Sequence, residues 1–379
     1  MIYLEKSNII SSLGFTSVEN FEALKAGKTG ISTINNIDLY PEPFQASMLD
    51  EYNLSSHFSD LENGRLTKLE KMIIQSVKSV LDETEVNIRS EKTGIILSST
   101  KGNIDLLGDE KKHQFEPERV LLWRLGEVIR EYFGNPNEMI VLSNACVSGV
   151  LALSNAALFI ESGRFDTVVV VGADIVSRFV VSGFMSFLSL SSEPCKPFDK
   201  NRDGLSLGEA ASTIILTKNK TGKSNIAYMG GASANDANHI SGPSKTGEGS
   251  FITIKKAMKE AKLGPDSIQH ISAHGTATPY NDEMESIAID RNNLTAVPVN
   301  SFKGSFGHTL GAAGLVETSM LLEEMKTNTL LKTVGFSEHG VSRNINVVDK
   351  TCTYEINTAL KMASGFGGSN AAIVLQKIS

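Results

Sequence analysis

Short apolar runs alternate with longer helical patterns along this chain, and that alternation limits the fold more than any other feature. Strands are predicted at 93–98, 139–143, 166–172, 212–217, 268–273, 296–300 and 371–376. Helices are predicted at 18–26, 67–82, 119–133, 146–162, 252–262, 283–290 and 311–325. The four valines 168–171 are far too short a run to span a bilayer and suit a buried strand. The pattern as a whole is that of an α/β fold.

One echo has a long period. Gly208-Glu209-Ala210-Ala211-Ser212-Thr213-Ile214-Ile215-Leu216 resembles Gly367-Gly368-Ser369-Asn370-Ala371-Ala372-Ile373-Val374-Leu375. Each is a glycine turn, then small residues, then an apolar strand, and each closes one part of the chain. The polar stretch Lys218 to Ser224 falls between them. The echo by itself leaves open whether the chain is two similar halves, which would be residues 1–222 and 223–379, or carries a local likeness of two turns.

Charge and cysteine usage narrow the functional classes. With 36 Lys+Arg against 43 Asp+Glu, the net charge of −7 argues against a general nucleic-acid binder. At 379 residues the chain has a large core available without disulfide staples. Its three cysteines, Cys146, Cys195 and Cys352, are widely spaced and include no CxxC pair. That spacing argues against a disulfide framework and a structural zinc site, and suits a reducing compartment. The first residues, Met1-Ile2-Tyr3-Leu4-Glu5-Lys6, do not read as a secretory signal. A cytoplasmic protein with no membrane segment is expected.

Three strand ends carry reactive side chains. Cys146 follows 139–143; His274 follows 268–273 in His274-Gly275-Thr276-Ala277-Thr278; His308 follows 296–300 in Lys303-Gly304-Ser305-Phe306-Gly307-His308. Ligands of open α/β sheets bind outside the carboxyl ends of strands, so these three groups can meet. A cysteine opening a helix is expected to have a depressed pKa, and a fall from ~8.5 to ~7 would raise its thiolate fraction roughly fifteenfold at neutral pH. Two neutral imidazoles can donate hydrogen bonds to an oxygen that gains charge, each worth about 2.7–4 kcal/mol in a transition state. Gly27-Lys28-Thr29 lacks the first glycine of a phosphate loop, since Glu22 stands there. Gly365-Phe366-Gly367-Gly368 precedes a strand rather than a helix and reads as a turn. The trio of Cys146, His274 and His308 has no close-spaced ligand pair, so no metal is expected.

Together these motifs resemble the β-ketoacyl-acyl-carrier-protein synthases, specifically the elongating group with a Cys-His-His site. The resemblance spans nearly the whole chain. It runs through Asn144-Ala145-Cys146-Val147-Ser148-Gly149, Lys196-Pro197-Phe198-Asp199, Arg202-Asp203-Gly204 and Gly208-Glu209-Ala210. It continues through His274 to Asp282, Lys303 to His308, Gly311-Ala312-Ala313-Gly314 with Glu317, and Gly365 to Asn370. It implies the thiolase fold, two similar halves in a five-layer αβαβα sandwich, and decarboxylative Claisen condensation of an acyl group with malonyl-acyl-carrier protein. It implies Cys146 as nucleophile, His274 and His308 as enolate stabilisers, and Lys303 as their electrostatic support through Glu317. The backbone N–H groups of Cys146 and Phe366 would form an oxyanion hole. Thr276 and Thr278 would bind pantetheine, Phe366 would gate the site, and Arg65 and Lys68 would dock the acidic acyl carrier protein. No dissociable cofactor is implied. A homodimer is implied, with a heterodimeric ketosynthase/chain-length-factor pair as the alternative.

The chain departs from the family pattern in places. Thr-Ala-Cys becomes Asn144-Ala145-Cys146, and the Asn-Ser-Phe before Gly-Phe-Gly-Gly becomes Met362-Ala363-Ser364. The N-terminal strand, Val-Val-Thr-Gly-x-Gly in the family, is replaced by Leu4 to Ile10. These departures suggest a specialised polyene or polyketide-like lipid pathway. A degradative thiolase would need a second cysteine where Phe366 stands, and an initiating synthase would need asparagine where His308 stands.

Overall fold

A computed structural model describes residues 1–378 apart from 51–53, 55, 59–64, 109–114, 221–223 and 237–243. The main strands are β1 (Ile2–Ile10), β2 (Thr93–Ser98), β3 (Ile140–Leu142), β4 (Thr167–Asp174), β5 (Ala210–Thr217), β6 (Ile226–Asn235), β7 (His270–Ser272), β8 (Pro298–Asn300), β9 (Asn346–Val347), β10 (Thr358–Gly365) and β11 (Ser369–Lys377). The main helices are α1 (Ser17–Lys25), α2 (Lys68–Leu81), α3 (Leu122–Phe133), α4 (Ser148–Glu161), α5 (Arg178–Ser186), α6 (Glu248–Glu260), α7 (Pro279–Arg291) and α8 (Ala313–Thr327).

The strand order repeats. In the first half it runs β1-β5-β4-β2-β3, with the first two pairings antiparallel and the last two parallel. In the second half β6-β11-β10-β7-β8 has the same sequence of directions, with β9 added at the outer edge. The halves join edge to edge only at Ile2 with Tyr228 and Tyr3 with Ala227. The duplication implied by the resemblance is present, and the echo falls on it: Gly208–Leu216 leads through β5 and Gly367–Leu375 through β11, the matching strands. The expected boundary at 222 and 223 falls on residues outside those described.

Side-chain alternation builds the layers. Val168 and Val170 of β4 face the central core with α4 and α8, whereas Val169 and Val171 face α2 and α3. In the second half Ile373 and Leu375 face the centre, and Val374 faces α6 and α7. A strand covered on both faces needs consecutive apolar residues, which accounts for the valine run. The stack is helix pair, sheet, helix pair, sheet, helix pair: the five-layer thiolase architecture. α2 starts on a capping box, with the Thr67 hydroxyl accepting from Glu70 N–H and the Glu70 carboxylate accepting from Thr67 N–H.

The central helices touch through glycine. A Cβ on Gly149 would lie 2.9 Å from Leu315 N, and one on Gly314 would lie 2.5 Å from Val150 N. Backbone atoms cannot yield as a flexible side chain would. Five of these elements lie outside the predicted strands and helices: β1, β6, β9, β10 and α5. β6 contains the Gly230-Gly231 pair and β10 contains Lys361, both of which weaken a strand signal.

Gly149→Ala is expected to destabilise the protein by roughly 1–3 kcal/mol through overpacking, although alanine favours a helix interior by about 1 kcal/mol. Urea denaturation of the two proteins checks this, and a higher midpoint for the variant would refute the close-contact explanation.

Candidate active site

β3 ends just before Cys146, and the chain turns sharply there. Ala145 has φ of 44°, a left-handed conformation that is strained for a residue with a side chain. Ser148 stitches the turn: its hydroxyl accepts from Asn144 N–H at 2.8 Å and donates to Ala145 O at 2.6 Å. α4 begins at Ser148, so Cys146 precedes the helix rather than opening it.

His308 is held by backbone from the other half. Its N–H donates to Ser206 O at 2.7 Å, and its carbonyl accepts from Gly208 N–H at 3.0 Å. Gly307 before it has φ of 67°, and a Cβ there would come within 2.1 Å of Leu207 O, so only glycine fits. Asp174, at the end of β4, accepts from Ser99 Oγ at 2.8 Å and from Gly311 N–H at 2.7 Å. This buried carboxylate ties the start of the second central helix to the first sheet, and burial raises its pKa. His274 follows β7; its N–H and that of Gly275 donate to the two Glu285 oxygens at 2.7 and 2.6 Å.

The three strand ends do meet. His308 Nε2 lies 2.9 Å from Cys146 Sγ, and the two imidazole centroids are 5.2 Å apart. Hydrogen-bond partners assign the tautomers. Lys303 Nζ donates to His274 Nδ1 at 3.2 Å, and Leu310 N–H donates to His308 Nδ1 at 3.4 Å. Each Nδ1 is therefore an acceptor, and each Nε2 carries the proton. Burial first, and the Lys303 ammonium second, hold both imidazoles well below the ordinary histidine range. Both are neutral donors.

The thiol differs from expectation. Burial pushes the Cys146 pKa up to about 11, with Lys303 and Lys101 offsetting only part of that cost. Desolvation of a group with its exposure reduced to 6% outweighs any benefit from the nearby helix end. The resting site pairs a protonated thiol with neutral imidazoles.

Two buried lysines lie behind His274. Lys303 Nζ sits 2.5 Å from Glu317 Oε1 and 2.6 Å from His274 O. Lys361 Nζ sits 2.6 Å from Glu317 Oε2. Glu285, on the other side, has its carboxyl pushed up to about 7 by burial and then by Asp282. Lys361, Asp174 and Glu285 were not singled out from the sequence. A lone lysine within an apolar stretch and an acid closing a valine strand are the signals by which two of them could have been found.

A cavity of about 400 Å³ opens over these groups, lined by Cys146, His274, His308, Thr276, Thr278 and Phe366 among others. The Thr276 and Thr278 hydroxyls are 2.9 Å apart. Phe366 packs at the mouth, with ring centroids 5.8 Å from Phe184 and 5.3 Å from Phe187. No lysine or arginine is among the described residues lining the cavity. The predicted docking pair stands apart from it. Lys68 Nζ lies 2.5 Å from Glu209 Oε1, a fully buried carboxylate, so its charge serves the interior. Arg65 is exposed and precedes the Thr67 cap, outside α2. Among the described residues, Cys146, His274 and His308 form the one trio whose ligating atoms lie within 4.8 Å of one another. Both Nε2 atoms carry protons in this arrangement, which suits hydrogen-bond donation over metal ligation.

Residues 12–222 match the family described as "Beta-ketoacyl synthase, N-terminal domain", and residues 226–337 match its C-terminal domain. The chain belongs to the beta-ketoacyl synthase family. It is a ketosynthase-type condensing enzyme. A 3-oxoacyl-[acyl-carrier-protein] synthase 2 of Coxiella burnetii is 28% identical over 98% of this chain and 97% of its own length. The Rhizobium meliloti protein of the same name is 31% identical over 69% of this chain and 66% of its own. Among solved structures, the ishigamide ketosynthase/chain length factor matches with a TM-score of 0.89 at 22% identity, covering 100% of this chain and 99% of its own. A Xenorhabdus doucetiae ketosynthase in complex with its chain length factor matches with a TM-score of 0.86 at 25% identity, covering 100% of this chain and 98% of its own.

Alkylation of Cys146 by iodoacetamide is expected to accelerate about tenfold per pH unit from pH 7 to 9, with no plateau. Peptide mapping of the labelled site measures it. A plateau near pH 7 would mean that the thiolate is stabilised after all.

Proposed function

We propose that this enzyme condenses an acyl group with malonyl-acyl-carrier protein to give 3-oxoacyl-acyl-carrier protein. The observation that carries this reading is the convergence of two neutral Nε2–H donors on one thiol: His308 lies 2.9 Å from Cys146 Sγ and His274 stands beside it. The cavity, mostly apolar and without lysine or arginine among its lining residues, suits a neutral pantetheine arm, with Thr276 and Thr278 as hydrogen-bonding partners.

In the first half-reaction Cys146 S–H attacks the acyl thioester, forms acyl-Cys146, and its proton leaves with the departing pantetheine thiol. Malonyl-carrier protein then loses carbon dioxide, and the resulting enolate oxygen is met by the Nε2–H groups of His274 and His308. The enolate carbon attacks the acyl-Cys146 carbonyl. Backbone N–H groups of Cys146 and Phe366 receive the tetrahedral oxyanion, and the collapse releases the Cys146 thiolate, which takes up one proton. Gly365 lies against Cys146, since a Cβ there would be 3.1 Å from Cys146 N; this supports the pairing of those two amides. Lys303 supports His274, Phe366 gates the mouth, and Arg65 is the remaining candidate for docking the acidic carrier.

The working unit in this reading is a dimer. β3 is a sheet edge with three half-buried apolar residues, and Trp123 nearby in sequence on α3 is 53% exposed. A bare apolar edge of this kind is normally covered. A homodimer is the first reading. Pairing with a chain-length factor is the second, favoured by the similar structures that contain such pairs. We place the enzyme in the cytoplasm; no helix among the described residues is long and apolar enough to cross a membrane.

Intact-mass spectrometry with a panel of acyl-carrier proteins tests the reaction. Wild type should gain the acyl mass and Cys146→Ala should not. His274→Ala and His308→Ala should still acylate but release product at least about 100-fold more slowly after addition of malonyl-carrier protein. Absence of acylation from every donor, in folded protein with and without a co-expressed partner, would refute the proposal.

A further inference from the structure

Lys361 occupies the fourth position of β10, an interior strand between β11 and β7. It is fully buried. A buried ammonium costs several kcal/mol unless it is paired. Its partners are specific. Nζ lies 2.6 Å from Glu317 Oε2, 3.1 Å from Ala273 O and 3.3 Å from Ser272 O. Lys303 binds the other Glu317 oxygen and the next carbonyl, that of His274. Two ammoniums thus share one carboxylate and hold three successive carbonyls, 272 to 274, on the strand that delivers His274.

The charge count explains why one lysine does not suffice. Lys303 with Glu317 alone is a neutral pair, and the carboxylate would cancel most of the field that Lys303 exerts on His274 Nδ1. A second cation on the far carboxylate oxygen leaves the trio at +1. Glu285 also faces this region, but with a carboxyl pKa near 7 it carries only part of a negative charge at neutral pH. It interacts electrostatically with Lys361, so loss of Lys361 favours its neutral form.

We propose that Lys361 is a positioning residue for the decarboxylative half-reaction: it neutralises Glu317, so that Lys303 can polarise His274, and it pins the backbone that carries His274. The role rests on the condensation proposed above. It predicts a split between half-reactions. Acyl transfer to Cys146 depends little on His274, whereas the enolate formed by decarboxylation depends on its Nε2–H directly.

The test compares wild type, Lys361→Met and the double variant Lys361→Met/Glu317→Gln, each checked for fold by circular dichroism. Acylation is read by intact mass, and decarboxylation by carbon dioxide released from malonyl-carrier protein on the acylated enzyme. Lys361→Met should acylate within about threefold of wild type and decarboxylate at least about tenfold more slowly. Removing Glu317 as well restores a net charge of +1 on Lys303, so the double variant should recover to within about fivefold of wild type. Equal loss of both half-reactions in Lys361→Met, or a double variant no faster than the single, would overturn the role. Should Lys361→Met not fold, the double variant decides alone: rapid decarboxylation supports charge balance, and acylation without decarboxylation overturns it. A wild type that turns over while Lys361→Met matches it refutes Lys361 only. A wild type that never acquires the acyl mass refutes the underlying reaction and this role with it.

Discussion

The glycine contact between α4 and α8 is the constraint on which the site depends. These helices form the central layer, one from each half, and each begins close to a reactive strand end. Their backbones approach so closely at Gly149 and Gly314 that a methyl group on either would meet main-chain atoms. That approach brings the Cys146 turn against the His308 loop. Asp174 and the backbone hydrogen bonds between His308 and residues 206 and 208 lock the same junction. Duplication thus does more than enlarge the core: it sets the ends of two corresponding strands, β3 and β8, face to face, one followed by sulfur and the other by imidazole.

Burial then determines the protonation states. A thiol in a low-dielectric site stays protonated, and two imidazoles beside an ammonium stay neutral. Groups in these states are poor bases and good donors. In the proposed reaction they meet negative charge as it develops, on sulfur during acyl transfer and on oxygen during enolate formation. The cost of keeping charges inside is offset by pairing: Lys303 and Lys361 on Glu317, Lys68 on Glu209, Arg119 on Glu70.

Much of this was legible in the sequence because its signals are local. Val168 to Val171 announced a strand covered on both faces, and glycine-rich turns marked the ends that carry Cys146, His274 and His308. What escaped depends on distance in the chain. Burial sets the Cys146 pKa and raises it, with distant Lys303 and Lys101 offsetting only part, so the nearby helix start misled. Lys68 looked like a surface charge, because Glu209 lies 141 residues away in sequence. Lys361 looked like a strand breaker, because its partner Glu317 sits on another element. β6 was hidden by Gly230 and Gly231; a Cβ on Gly230 would lie 2.7 Å from Ala261 N just beyond α6, so that glycine answers to packing rather than to strand propensity.

Nitrogen NMR of the protein labelled at histidine side chains tests the central claim most directly. The account predicts that His274 and His308 both show the neutral Nε2–H pattern from pH 6 to 9, with no titration. An imidazolium at His308 in the resting enzyme, paired with a Cys146 thiolate, would contradict it.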